Sequence, residues 1–128
     1  MAVRTVAIIL MLLGGAAAPP LHAHHSFAAQ YDRSKPHTIT GTVTKMEWQN
    51  PHIYFYVAVK DDGGRETVWA VEGMAPNGLY RQGWRRDTVK AGDVVTVEGW
   101  LARDGSNLLN MGSATMGGRK LFSGTASQ

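Results

Sequence analysis

Beyond its N-terminal segment the chain is written in short alternating runs. From His37 to Trp48 (HTITGTVTKMEW), Ile39, Gly41, Val43 and Lys45 alternate with Thr38, Thr40, Thr42, Thr44, Met46 and Trp48. β-branched residues at a period of two predict a strand, and Gly41 marks a point where it can bulge or bend. Asn50-Pro51 breaks the pattern, because proline has no ladder donor and turns the preceding residue away from helix. His52 to Lys60 (HIYFYVAVK) predicts a second strand. Asp61-Asp62-Gly63-Gly64 supplies a hairpin turn, and Arg65 to Glu72 (RETVWAVE) returns as its partner. Pro76 to Gln82 (PNGLYRQ) is the one helical stretch, with proline in its first turn and Gly83 as its stop. The turn-rich Asp87–Asp93 leads to a strand over Val94–Ala102. Asp104-Gly105-Ser106 turns the chain into Leu108–Met116, and Lys120–Phe122 forms a short last segment.

Three strands, one short helix and two or three further strands match the order of an open five-stranded barrel of the OB type, whose helix joins its third and fourth strands. The sequence therefore predicts an all-β fold with one short helix, an OB-like small open β-barrel. The alternative is an antiparallel β-sandwich without the connecting helix. Residues 37–128 form the barrel in this reading, and residues 24–36, with Pro36 and no clear period, form an extended lead-in.

The first 23 residues read differently. Arg4 precedes the uninterrupted apolar run Val6–Leu13, which is followed by glycines and alanines. The run is about half the length a bilayer-spanning helix needs, so no stable membrane anchor is expected. Its layout is that of a secretory signal, with Leu21-His22-Ala23 as the cleavage site and His24 as the mature N-terminus. The expected location is the periplasm.

Composition narrows the chemistry. The chain of 128 residues is long enough for one domain, and 44% hydrophobic residues give it a core to bury. It has no cysteine, which excludes a disulfide scaffold, a thiolate metal site and a cysteine nucleophile. Removing Arg4 with the signal leaves twelve basic and ten acidic side chains, a net charge of +2. A charge so small and dispersed leads to the expectation of no nucleic-acid partner.

Several segments carry a resemblance: HHSFAAQYD at 24–32, ITGTVTKMEWQNPHIYFYV at 39–57, WAVEGMAPNGLYRQGWRRDTVKAGDVVTVEGW at 69–100, DGSNLLN at 104–110 and GRKLF at 118–122. Together they resemble small exported bacterial proteins of domain-of-unknown-function family 6152. The family's usual serine before Pro-Asn is Ala75 here, so a side-chain helix cap is missing. The resemblance implies export and a β-rich domain, and it brings no activity or catalytic residues.

Candidate site residues follow from side-chain chemistry. A mature N-terminal His24 chelates metal through its amine and ring, and His25 or His52 can add a further imidazole. Imidazole suits copper, nickel and zinc, and copper is the candidate cofactor. Trp48, His52, Tyr54 and Trp84, with Arg81 and Arg85 after the helix, are candidates for a groove that binds a small ligand or a periplasmic protein partner. Glu47, Glu72 and Glu98 fall on separate strands and form no readable catalytic pair. The expected function is a non-enzymatic binding or accessory module, with a metal-binding protein as the alternative.

Overall fold

The computed structural model describes residues 26–124. Residues 1–23, His24 and His25 lie outside the described residues, so the expected signal and two of the metal candidates receive no structural account.

The strands are β1 (Tyr31–Glu47), β2 (Tyr54–Lys60), β3 (Glu66–Glu72), β4 (Val94–Ala102), β5 (Leu108–Met116) and β6 (Arg119–Ser123). Helix α1 (Phe27–Gln30) precedes β1, and α2 (Pro76–Arg81) lies between β3 and β4. The sheet runs β3-β2-β1-β4-β5-β6, and a further pairing of β3 with β5 closes the first five strands into a ring. All neighbours are antiparallel except β3 and β5, which pair in parallel from Ala70↔Leu108 to Glu72↔Asn110. Ring closure with a helix between the third and fourth strands is the OB-like barrel, and it removes the sandwich alternative.

β1 serves both halves of the ring. It pairs with β4 as far as Thr42 and with β2 from Thr42 onward. Gly41 sits at that change of partner, where an added Cβ would lie 2.1 Å from the Ala58 carbonyl oxygen. The glycine permits the close crossing, while the register shift itself falls two residues later, between Val43 and Lys45. The hairpin forms as its residues dictate: Gly64 takes φ +78°, and the Asp61 carboxylate accepts the Arg65 backbone N–H at 2.8 Å.

Period-two alternation, reset in β5 by an irregularity at Gly112, puts Ile39, Val43, Phe55, Val57, Val71, Val95, Val97, Leu109 and Ala114 inside the ring. Helix α2 plugs the barrel with buried Leu79. Its N-cap Ala75 makes no side-chain bond, as its chemistry requires, and packing holds the helix instead.

The lead-in is not simply extended. Ser26 caps α1 by accepting the Ala29 N–H at 3.3 Å, and the strand begins at Tyr31 instead of His37. The β1–β4 register slips between Tyr31 and Pro36, an irregularity that accommodates a proline without a ladder donor. Among the described residues no helix is long and apolar enough to cross a membrane.

Candidate functional site

The polar chemistry gathers at the end of the barrel where the β1–β2 loop, residues 48–53, meets the end of β3. Glu72 is 4% exposed, an uncommon position for a carboxylate. It lies opposite Tyr54 across β2 and β3, on the face away from the buried pair Phe55↔Val71. Tyr31 at the start of β1 donates its hydroxyl to Glu72 Oε2, and the His52 ring bonds Oε1 through Nδ1. Three side chains, Tyr31, His52 and Tyr54, thus converge on one carboxylate, which is why it tolerates burial.

The cluster acts on its members. Burial raises the Tyr31 hydroxyl well above the usual phenol range, and the hydrogen bond to Glu72 and its charge add to the effect. Burial, then the Glu72 charge, pushes Tyr54 up to about 12. Both phenols therefore remain donors at any ordinary pH. The His52 side chain is 39% exposed, against 6% for Glu72, so the histidine is the part of the cluster that meets solvent. A carboxylate oxygen accepts, so the His52 ring donates to it from Nδ1.

Farther along the same outer face, Tyr56 donates to Glu47 at 3.2 Å, and Lys45 is ion-paired to that carboxylate. The hydrogen bond from Lys45 holds the Glu47 carboxyl below the usual carboxylate range. The outer side of β2 and β3 therefore presents two half-buried tyrosines between polar anchors.

The other candidates separate. Trp84, expected in the groove, is 2% exposed and belongs to the core. Its indole N–H donates to the Leu121 carbonyl at 2.9 Å, and its ring meets Phe122 edge-on. Satisfying the indole N–H internally lets the whole side chain be buried. Trp48 packs against the edge of the core, and its carbonyl accepts from Arg86 at 3.4 Å. Arg85 lies over the Tyr80 ring at 3.9 Å and donates to the Trp84 carbonyl at 2.7 Å and to the Tyr80 carbonyl, in the last turn of α2, at 3.4 Å. Arg81 is exposed in the last turn of α2. The structure joins His52 and Tyr54 through Glu72 and gives the arginines no hydrogen bond to that cluster. Among the described residues no three His, Asp or Glu side chains form a metal cage.

A pocket of about 340 Å³ is lined by Trp100, His37, Glu98 and Ser113 over a floor that includes Gly99 and Gly112. Neither Glu72 nor any of the three residues converging on it lines this pocket. His37 stacks on Trp69 with ring centroids 5.0 Å apart, and Glu98 accepts from Ser113 at 3.2 Å. Its polar groups are thus partly engaged with one another.

Tyr31 and Glu72 were not legible as site residues in the sequence. They lie 41 positions apart, and only the Tyr-Asp of the lead-in and the Trp-Ala-Val-Glu of β3 mark them. Neither short run has a spacing that signals contact.

Comparison with solved structures places the barrel. A mitochondrial single-stranded DNA binding protein of S. cerevisiae is 15% identical with a TM-score of 0.50, the match covering 64% of this chain and 93% of that one. The N-terminal domain of PriB from Thermoanaerobacter tencongensis is 14% identical with a TM-score of 0.48, covering 65% and 96%. A ZRD-deleted mutant of TiaS in complex with agmatine is 17% identical with a TM-score of 0.48, covering 66% of this chain but 22% of that one. The likeness is one of fold. It overturns the expectation of no nucleic-acid partner, because a single-stranded DNA binding protein is built on the same barrel and a mild net charge does not remove that partner class. No curated protein sequence matches the chain. The segments quoted above from 24 to 110 fall within a profile matching residues 12–110, and the chain belongs to the family of unknown function DUF6152.

Proposed function

We propose that the protein is an exported, non-enzymatic binding or accessory module that takes a small ligand on the outer face formed by the β1–β2 loop, β2 and β3. The observation that carries this reading is the Glu72 cluster, which fixes a half-exposed His52 and Tyr54 on that face from beneath. OB barrels bind ligands on the face of the second and third strands and on the loop between the first two. Binding favours side chains held before the ligand arrives, because less ordering entropy is then lost. Both Glu72 oxygens are committed to donors, an arrangement that suits a positioning group better than a general base awaiting a proton.

Export is supported by Arg4, the apolar run Val6–Leu13 and the small-residue end Leu21-His22-Ala23. The location proposed is the periplasm, with the mature chain starting at His24.

The face is tested by amide chemical-shift mapping of the isotope-labelled protein against Cu(II), a chito-oligosaccharide and a thymidine oligonucleotide. Perturbations from whichever probe saturates should centre on residues 48–56 and 70–74. Perturbations centred on Trp100, Glu98 and Ser113 instead would move the site to the pocket and refute the reading.

A further inference from the structure

We propose that the pocket beside Trp100 is a second binding site, separate from the face of β2 and β3, and that it takes a small methylated ammonium ion between Glu98 and the Trp100 ring.

The backbone makes the cavity. Strands β4 and β5 slip register between Glu98 and Gly99: Glu98 pairs with Ser113 and Gly99 with Met111, which leaves Gly112 without a partner. A bulge of this kind re-aims the side chains beside it. A Cβ on Gly112 would come within 3.1 Å of the Trp100 ring, so the glycine lets the indole lie close to the backbone of β5. Pro36 is the cross-strand partner of Trp100, and Phe27 meets the indole edge-on at 5.7 Å. The pocket of about 340 Å³ falls at the small end of the range that ligand sites span.

The wall sets the sign of the charge. Among the described residues Glu98 is the one carboxylate lining the pocket, and no lysine or arginine lines it. Ser113 donates to Glu98 Oε2 at 3.2 Å, and among the described residues no cation is paired with this carboxylate and no group bonds Oε1. Glu98 is thus held in place on one oxygen and presents the other. A negative charge beside a wall of proline, indole and glycine attracts a cation more strongly than one in open water.

The same wall decides which cation. Tryptophan has the ring that binds cations best. A primary ammonium carries three donors, each of which must find an acceptor when it leaves water, and Pro36, Trp100 and the glycines offer no side-chain acceptor. A fully methylated ammonium donates nothing. Its methyl groups pack on the indole and the proline while its charge stays beside Glu98.

The test is titration of the isotope-labelled exported protein with choline, followed by calorimetry and amide shift mapping. Saturable binding with a Kd on the order of 1 mM is expected for a ligand of so few atoms, with perturbations centred on residues 98–100 and 112–113. Dimethylbutanol, the uncharged isostere of choline, should bind at least about 10-fold more weakly. Glu98→Gln keeps an acceptor for Ser113 and should weaken choline about 10-fold, as should Trp100→Leu, while Asp62→Asn in the β2–β3 turn should change nothing. Phosphatidylcholine vesicles separate the two sources of the cation: co-sedimentation that choline competes away assigns a lipid headgroup, and choline binding without it assigns a free solute. Equal affinity for choline and dimethylbutanol, an unchanged Kd in Glu98→Gln, or no saturation at tenfold higher choline would overturn the proposal. Choline shifts centred on residues 48–56 would also overturn it and would hand the cation to the β2–β3 face, whose own probes test that face independently.

Discussion

Replacing Tyr31 by phenylalanine isolates what the cluster contributes to folding. The ring is 2% exposed, and its packing against Phe27 does not need the hydroxyl, so the substitution removes one donor and little else. That donor serves Glu72 Oε2, in a carboxylate that is 4% exposed. Hydrogen bonds to charged groups contribute about 1.5–3 kcal/mol, and leaving a buried acceptor unpaired lies toward the upper part of that range. His52 still serves the other oxygen, so the expected loss is about 2 kcal/mol. For a domain near this size that corresponds to a fall in Tm of roughly 8–16 °C.

The pH dependence gives an independent check on the same bond. The folded Tyr31 pKa is raised, so the neutral phenol is the form the fold favours. Its contribution is complete below the unfolded phenol pKa near 10 and is lost as pH rises toward the folded value. The unfolded chain releases the proton first, so wild type loses stability relative to Tyr31→Phe by about 1.4 kcal/mol per pH unit above about 10. The two proteins should become equally stable near pH 11.5, within roughly half a unit. Urea unfolding of both proteins at intervals from pH 7 to 11.5 measures both effects, with unchanged m-values showing that the same surface is exposed. A difference below about 0.5 kcal/mol at pH 7, or one that stays constant through pH 11, would refute the reasoning.

Gly41→Ala drives a Cβ to within 2.1 Å of a backbone oxygen at the point where β1 changes partner, and a loss of about 3 kcal/mol or outright misfolding is expected in thermal melts. Trp84→Phe loses the bond to Leu121 and leaves a cavity, which should cost roughly 2–4 kcal/mol while leaving ligand-induced shifts at residues 48–56 intact. Changed ligand affinity at unchanged fold would return Trp84 to the site. Intact-mass measurement of the periplasmic fraction should show loss of residues 1–23, and a soluble exported form that retains Arg4 would contradict the processing.

Local chemistry determined the elements. The strands Val94–Ala102 and Leu108–Met116 and the start of helix α2 at Pro76 lie where alternation, Gly83 and the Asp-Gly turns place them. Each follows from interactions within a few residues, which a sequence displays directly. The element order then pointed to the barrel. Local rules reached less far before His37, where Phe27–Gln30 form a helical turn and β1 already runs from Tyr31. Both depend on docking partners remote in sequence, Trp100 and Ala102, and no local period announces them.

The site divides along the same line. His52 and Tyr54 could be singled out because a histidine after Asn-Pro and a tyrosine on a strand carry recognisable chemistry. Nothing in the sequence separated Glu72 from Glu47 or Glu98, or showed that Trp84 would satisfy its indole inside the core. Those outcomes depend on ring closure, which brings the end of β3 beside the β1–β2 loop and the start of β1 over both. Whether a carboxylate is buried, and which donors meet it, is decided by contacts among strands 20 to 41 positions apart, so the tertiary structure alone assigned the centre of the cluster to Glu72.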